Sequence, residues 1–293
     1  MRILLFLLTN MAVVIVVGVV WRLLGFESFL EANGVGLDFN ALLVFCGLFG
    51  MGRSLFSLFI SKWMAKRGTR TRIIETPSNR DEEWLVNTVR QLADEAGIGM
   101  PEVGIFPSEA PNAFATGWNR NNALVAVSSG MLQRFKSEEV RAVMAHEIGH
   151  VANGDMVTLT LVQGVVNTFV MFFARIIGHT IDRVVFKNER GLGIGYWVGT
   201  IVAEILLSIL ASMIVMWFSR YREYRADAAG ADLAGKHHMT AALRRLQAEM
   251  DSPSDLPGEL TAFGIRSGKS SNIRQLFSSH PPLDKRIEAL QNR

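Results

Sequence analysis

His146-Glu147-Ile148-Gly149-His150 decides how this chain is to be read. Histidines at positions i and i+4 share one face of a helix, so both imidazoles can point at a single ion. Zinc takes imidazole nitrogen well and needs about four ligands. The carboxylate directly after the first histidine can reach a water on that ion and serve as its base. The bland alternative is a helix with two solvated histidines, and the surrounding sequence argues against it.

Upstream of the pentapeptide, Ser137-Glu138-Glu139 reads as a helix start, with an N-cap serine and two carboxylates that complement the helix dipole. Val140, Val143, Met144 and Val151 can face an interior, and Asn153-Gly154 ends or bends the helix. Earlier, Asp81 to Ala96 is an amphipathic helix with Leu85, Val89 and Leu92 at helical spacing and Gly97 as its stop. Val103 to Phe106 reads as a short strand, and Ala123 to Val127 as a buried one between turn residues. Between them lies Asn112-Ala113-Phe114-Ala115-Thr116-Gly117, whose small residues suit an exposed strand edge. A peptide can pair with such an edge through main-chain hydrogen bonds, which makes these six residues the candidate substrate-binding segment. A plain hairpin segment is the competing reading.

The chain as a whole is apolar. Of its 293 residues 49% are hydrophobic and 19% charged, and the mean hydropathy is +0.23. That balance points to membrane spans. A first run covers Ile3 to Val20 after Met1-Arg2, with no small-residue cleavage site behind it, so it is expected to be an uncleaved transmembrane helix. An acidic stretch from Glu27 to Asp38 precedes a second run from Phe39 to Ile60. Lys62, Lys66, Arg67, Arg70 and Arg72 follow at once, which places residues after 61 in the cytoplasm by the positive-inside rule. Two further runs, Met156 to Ile177 and Leu192 to Phe218, form a hairpin expected to cross fully, although its charged connector conflicts mildly with that rule. Arg53 and Glu204 interrupt the spans; Glu204 can neutralise, pair with Arg53 or line a polar cavity. After Phe218 a basic flank opens a helix to about Leu233, and Met239 to Met250 is another. Asp251 to Ser279 is rich in Ser, Gly and Pro and reads as a loop.

Several classes are excluded. The net charge of +3 carries no aromatic-interleaved basic stripe, so no nucleic acid is expected. Gly264 to Ser270 has phosphate-loop spacing one residue short and no strand leading into it, so no nucleotide is expected either. The lone Cys46 excludes an internal disulfide.

Two histidines leave a catalytic zinc short of one protein ligand. The missing group must be cytoplasmic, and the hairpin returns the chain to that side near residue 219. Glu223 and Asp227 stand four apart there on one helix face. Glu223 can bind the metal, and Asp227 can accept the Nδ1 proton of a ligand histidine. His237 and His238 are the rival ligands, but they are adjacent and diverge on a helix.

This ordered set resembles the HtpX family of membrane-embedded zinc metalloproteases, relatives of the CAAX prenyl proteases. The resemblance rests on the two N-terminal spans, NAFATG at Asn112 to Gly117, HEIGH at His146 to His150, the apolar hairpin, EYRAD at Glu223 to Asp227 and HPPLDKR at His280 to Arg286. It implies one Zn2+ per chain on His146, His150 and Glu223, with Glu147 as catalytic base. It also implies an ATP-independent endopeptidase of the bacterial inner membrane, acting from the cytoplasm on damaged or misassembled membrane proteins under envelope stress. His280 is the candidate further donor to the oxyanion, with Arg286 as a supporting positive group. The expected fold is a mainly α integral membrane protein with about four transmembrane helices and a cytoplasmic zincin-like α+β metalloprotease domain holding a small β-sheet. In chain order, residues 1–61 are two spans, 62–155 the first part of the protease domain, 156–218 the hairpin, and 219–293 the second part with the third ligand. The expected partners are unfolded or misfolded protein substrates and the lipid bilayer. The competing expectations are a narrower, prenyl-type processing protease and a non-catalytic membrane chaperone or scaffold.

Overall fold

The computed structural model describes residue 19, residues 38–251 and residues 279–293. Nearly all of the first apolar run, of the acidic stretch and of the Ser/Gly/Pro-rich loop, and the whole phosphate-loop lookalike, lie outside the described residues.

In chain order the elements are α1 (Phe39–Gly68), β1 (Arg72–Ile73), α2 (Arg80–Glu95), β2 (Glu102–Phe106), β3 (Ala113–Asn119) and β4 (Asn122–Ser128). Then come α3 (Ser129–Arg134), α4 (Ser137–Asn153), α5 (Asp155–Thr180), α6 (Ile194–Ala234), α7 (Lys236–Asp251) and α8 (Leu283–Gln291). The described residues are mostly helical, with one small mixed sheet. Among the described residues three helical stretches are long and apolar enough to cross a membrane: Phe39–Gly68, Asp155–Val185 and Ile194–Ala234. A water-facing helix of 41 residues could not leave Ile201, Ile205, Leu206, Ile209 and Leu210 exposed in a row without a solvent other than water; lipid is that solvent.

The chain divides into two units. One joins the residues up to Phe56 with Thr160–Val215; the other joins Ser57–Leu159 with Met216–Arg293. In the first, Phe39, Leu43, Cys46, Phe172 and Ile176 pack together. Glu204 pairs with Arg175 at 3.4 Å, and Arg175 also donates to the Met171 carbonyl at 3.1 Å. Of the alternatives for Glu204, pairing with Arg53 is therefore not the one realised. Arg53 lies exposed on α1.

In the second unit the sheet runs in the order β1-β2-β4-β3. β2 and β4 are parallel, and the outer pairings are antiparallel. β4 is central and buried from Ala123 to Ser128, which is why its sequence is a continuous apolar run rather than an alternating one. β3 closes one side of the sheet and, among the described residues, pairs with β4 alone. α2 starts on Asn79, whose side chain accepts from the Glu82 amide at 2.9 Å, and buries Leu85, Val89 and Leu92 against this layer. Val125, Val143, Ile148, Leu243 and Leu290 complete the same core.

Two boundaries differ from the expectation. Ser137 is the first helical residue of α4, not its cap; the reciprocal bond comes from Glu139, whose carboxylate accepts from the Lys136 amide at 2.9 Å. α6 is one helix through Phe218 to Ala234, because Ser219-Arg220-Tyr221-Arg222 holds no residue that breaks a helix.

Candidate metal centre

α4 carries His146, Glu147 and His150, and α6 carries Glu223 and Asp227. The two helices meet where side chains are smallest. A Cβ on Gly149 would sit 3.0 Å from the Ala229 methyl group and 3.2 Å from the Ala226 carbonyl. A Cβ on Gly230 would sit 3.1 Å from the backbone nitrogen of His146. Bare backbone at these two points lets the carboxylates of α6 reach the imidazoles of α4.

The resulting cage is tight. Glu223 Oε1 is 3.2 Å from His150 Nε2, and Glu223 Oε2 is 3.6 Å from His146 Nε2. The imidazoles are 4.7 Å apart and nearly perpendicular at 86°. One ligand atom from each of His146, His150 and Glu223 lies within 4.8 Å of the others. Tetrahedral ligands at about 2.0–2.1 Å from an ion stand about 3.3–3.4 Å apart, so the carboxylate-to-imidazole distances suit a small divalent metal. No other such group occurs among the described residues. His237 and His238 meet edge to face on α7, ring centres 5.6 Å apart, and do not join it.

Each of the two candidate ligand histidines is held from behind by a carboxylate. His146 Nδ1 is 2.9 Å from Asp227 Oδ1, and His150 Nδ1 is 2.8 Å from Asp155 Oδ2. With the proton on Nδ1 donated outward, the Nε2 lone pair of each ring is left for the metal. Sequence reasoning missed Asp155. Gly154 ends α4 in the left-handed conformation, at φ 70° and ψ 30°, and this turn swings the next residue back under His150. The Gly-Asp pair at a helix-to-helix corner was the available signal. Arg222 donates to the Asp155 carbonyl at 2.9 Å and fixes that corner.

Arg286, 1% exposed, grips Asp227 with both arms: Nε to Oδ2 at 2.7 Å and Nη2 to Oδ1 at 2.6 Å. Its remaining nitrogen is 3.4 Å from Glu223 Oε2. The fork supplies the positive charge that four carboxylates in one place require. His280 Nδ1 is 2.7 Å from Glu223 Oε2, so this histidine contacts the third candidate ligand directly. Glu147 is buried beside His146 and makes no side-chain hydrogen bond or ion pair among the described residues, which leaves its carboxylate available. Asn112 precedes β3, where Ser128 ties it down: the Asn112 amide donates to Ser128 Oγ at 2.9 Å. Phe114 packs on Phe106 with ring centres 5.4 Å apart. Gly117 has φ 144°, and a Cβ there would collide with the Asn122 carbonyl, so only glycine fits the bulge between β3 and β4.

The electrostatics favour protons until a metal displaces them. Burial disfavours a charged His150, but Glu223, Asp155 and Glu147 outweigh it and raise its pKa to about 10. His146 moves up for the same reason, burial being overcome by Asp227 and Glu223. Arg286 is likewise held more firmly protonated, Asp227 outweighing its burial.

A His/Glu group able to hold a metal, two of its members on α4 and the third on α6, itself a membrane-length apolar helix, marks the class as a membrane metalloprotease. The chain belongs to peptidase family M48, whose profile matches residues 79–293. It is 64% identical over 293 residues to Protease HtpX of Pseudomonas fluorescens, covering 100% of this chain and 99% of the relative. Protease HtpX of Hahella chejuensis is 64% identical over 289 residues, 99% of this chain and 98% of that protein. Among solved structures, the crystal structure of Ste24p from S. mikatae shares the fold with a TM-score of 0.62 at 19% identity, covering 98% of this chain and 67% of the other.

Proposed function

We propose that this metalloprotease is a zinc endopeptidase of the bacterial inner membrane that cuts unfolded or misassembled proteins from the cytoplasmic side. In this reading it serves quality control under envelope stress and needs no ATP. The observation that carries the reading is the cage itself: two imidazoles aimed by two carboxylates, a third carboxylate between them, and Glu147 beside them. Zinc on His146, His150 and Glu223 would supply an acidified water and a Lewis acid for the scissile carbonyl. Glu147 would take the proton of that water and return it to the leaving amine. His280, with Arg286 behind it, would donate to the oxyanion.

Asn112 to Gly117 would hold the substrate as an added strand on the side of β3 away from β4, so selection falls on extended, unfolded segments more than on one side chain. The spans, 1–61 and 156–218, would serve as the anchor, and 62–155 with 219–293 as the protease domain. The basic run from Lys62 to Arg72 supports a cytoplasmic location for that domain.

The test is cleavage of casein by the detergent-solubilised protein. Cleavage should stop on chelation and return with zinc. Glu147→Gln should retain zinc while losing at least about a hundredfold in rate. A Glu147→Gln protein that cuts normally would remove the general-base role.

A further inference from the structure

Past Ile60, where its apolar run ends, α1 continues for about two turns to Gly68. Five basic residues stand at this exit: Lys62, Lys66, Arg67, Arg70 and Arg72. Three of them are neutralised within the protein. Lys62 and Lys66 both pair with Glu102, Lys62 at 2.9 Å, and Arg72 pairs with Glu82. Lys62 Nζ also donates to Asn122 Oδ1 at 2.6 Å, so this face of the helix is clamped to the sheet. Arg67 and Arg70 are exposed and have no carboxylate partner among the described residues.

Trp63 and Arg67 lie about 100° round the helix from the clamp. Trp63 is 58% exposed, and the Arg67 guanidinium lies over its ring, 4.9 Å from the centre. Stacking occupies the flat face of the guanidinium and leaves its in-plane N–H groups free, a fork that matches two oxygens of one phosphate. The level is also right. Trp63 stands three residues past Ile60, roughly 4.5 Å beyond the apolar boundary, and the headgroup layer is about 6 Å thick. Helical side chains lean towards the N-terminus of their helix, which for α1 is the membrane side. Arg67 leans that way onto Trp63, which brings its guanidinium back into the headgroup layer. Arg70 follows beside it: its amide donates to the Arg67 carbonyl at 3.3 Å. Arg70 holds φ 55°, the left-handed conformation that glycine usually takes after a helix. Cations here also suit the C-terminal end of the helix dipole, but the dipole calls only for charge and not for a fork held on an exposed indole.

From this arrangement we infer that Trp63, Arg67 and Arg70 form a binding site for the phosphodiester of an anionic phospholipid in the leaflet that α1 leaves at Ile60. The indole lies against the upper part of the acyl chains, the Arg67 fork takes the phosphate, and Arg70 adds charge from the water side. Lipid binding here does not depend on peptide cleavage.

The experiment uses the full chain with zinc in nonionic detergent micelles holding equal amounts of phosphatidylglycerol and phosphatidylcholine. Retained lipid is counted by native mass spectrometry, and zinc content reports that each variant is folded. The wild type should retain phosphatidylglycerol in preference. Arg67→Gln should lower that retention about fivefold, and Arg67→Gln with Arg70→Gln about 25-fold. Arg90→Gln, which removes an exposed arginine on α2, should change nothing. Arg67→Lys keeps the charge without the fork and should fall below wild type; it also serves if Arg67→Gln does not hold zinc. Phosphatidylglycerol should raise the thermal unfolding midpoint of the wild type more than that of the Arg67 variants. Equal retention of the two lipids, or equal losses in Arg67→Gln and Arg90→Gln, overturns the site. Wild-type retention by Arg67→Lys overturns the fork. Displacement of the lipid by millimolar glycerol phosphate overturns the lipid in favour of a free phosphate.

Discussion

Asp227→Asn is the most informative single change at the cage. The side chain is 1% exposed and accepts three hydrogen bonds: from His146 Nδ1 at 2.9 Å and from Arg286 at 2.7 and 2.6 Å. Asparagine keeps the shape, but its NH2 must face a donor whichever way the amide is turned. Two losses follow. His146 loses the group that sets its tautomer, which costs about 10–100-fold in metal affinity, or about 1.4–2.7 kcal/mol. Arg286 loses its principal counter-charge in the interior. Breaking a buried ion pair on one side costs about 3–5 kcal/mol, and Glu223 at 3.4 Å keeps the loss near the low end, about 3 kcal/mol. Adding Arg286→Met removes the stranded cation. The double variant should recover most of the stability and none of the affinity. Zinc affinity is measured by competition with a chromophoric chelator, and stability by thermal unfolding of the metal-free protein in one detergent. Wild-type affinity in Asp227→Asn would refute the orienting role. A double variant no more stable than the single would refute the pairing of Arg286 with Asp227.

Asp155→Asn should weaken zinc binding by a similar 10–100-fold through His150; an unchanged affinity would show that the 2.8 Å contact does not orient the ligand. Zinc binding should expel protons, because His150 is protonated below about pH 10 in the metal-free cage. Its raised pKa stabilises the metal-free fold fully below about 6.5, and that contribution fades as pH rises through 10. Affinity should climb about tenfold per pH unit per proton released, and calorimetry in two buffers of different ionisation enthalpy counts those protons. Glu82 is held below its ordinary pKa by the Ser78 amide first, then by Arg72 and the Ser78 hydroxyl. Its contribution is complete above about pH 4.5 and is lost as pH falls, so Glu82→Gln should flatten the loss of thermal stability on acidification; parallel curves would remove Glu82 from the account. A reporter fused after residue 70 should read as cytoplasmic, and an external signal there would reverse the orientation.

The local geometry of the cage was legible because it is short-range. His146 and His150 share a helix face by spacing alone, and Glu223 and Asp227 do so again. The three spans among the described residues were legible as apolar runs, and β4 as a buried strand, since burial on both faces leaves its mark on every residue. What spacing could not supply was how the pieces meet. Arg286 closes on Asp227 across 59 residues, and Glu204 meets Arg175 and not Arg53. Asp155 falls behind His150 only because Gly154 turns the chain left-handed there.

The sequence by itself thus determined the residue types for metal chemistry, the apolar lengths for a bilayer and the helix faces that present each group. Tertiary structure decided which carboxylate serves which imidazole and which arginine balances them. The physical reason is range. Helical periodicity is set within one or two turns, whereas charge pairing in the interior depends on bare glycine backbone at Gly149 and Gly230, where two distant helices touch.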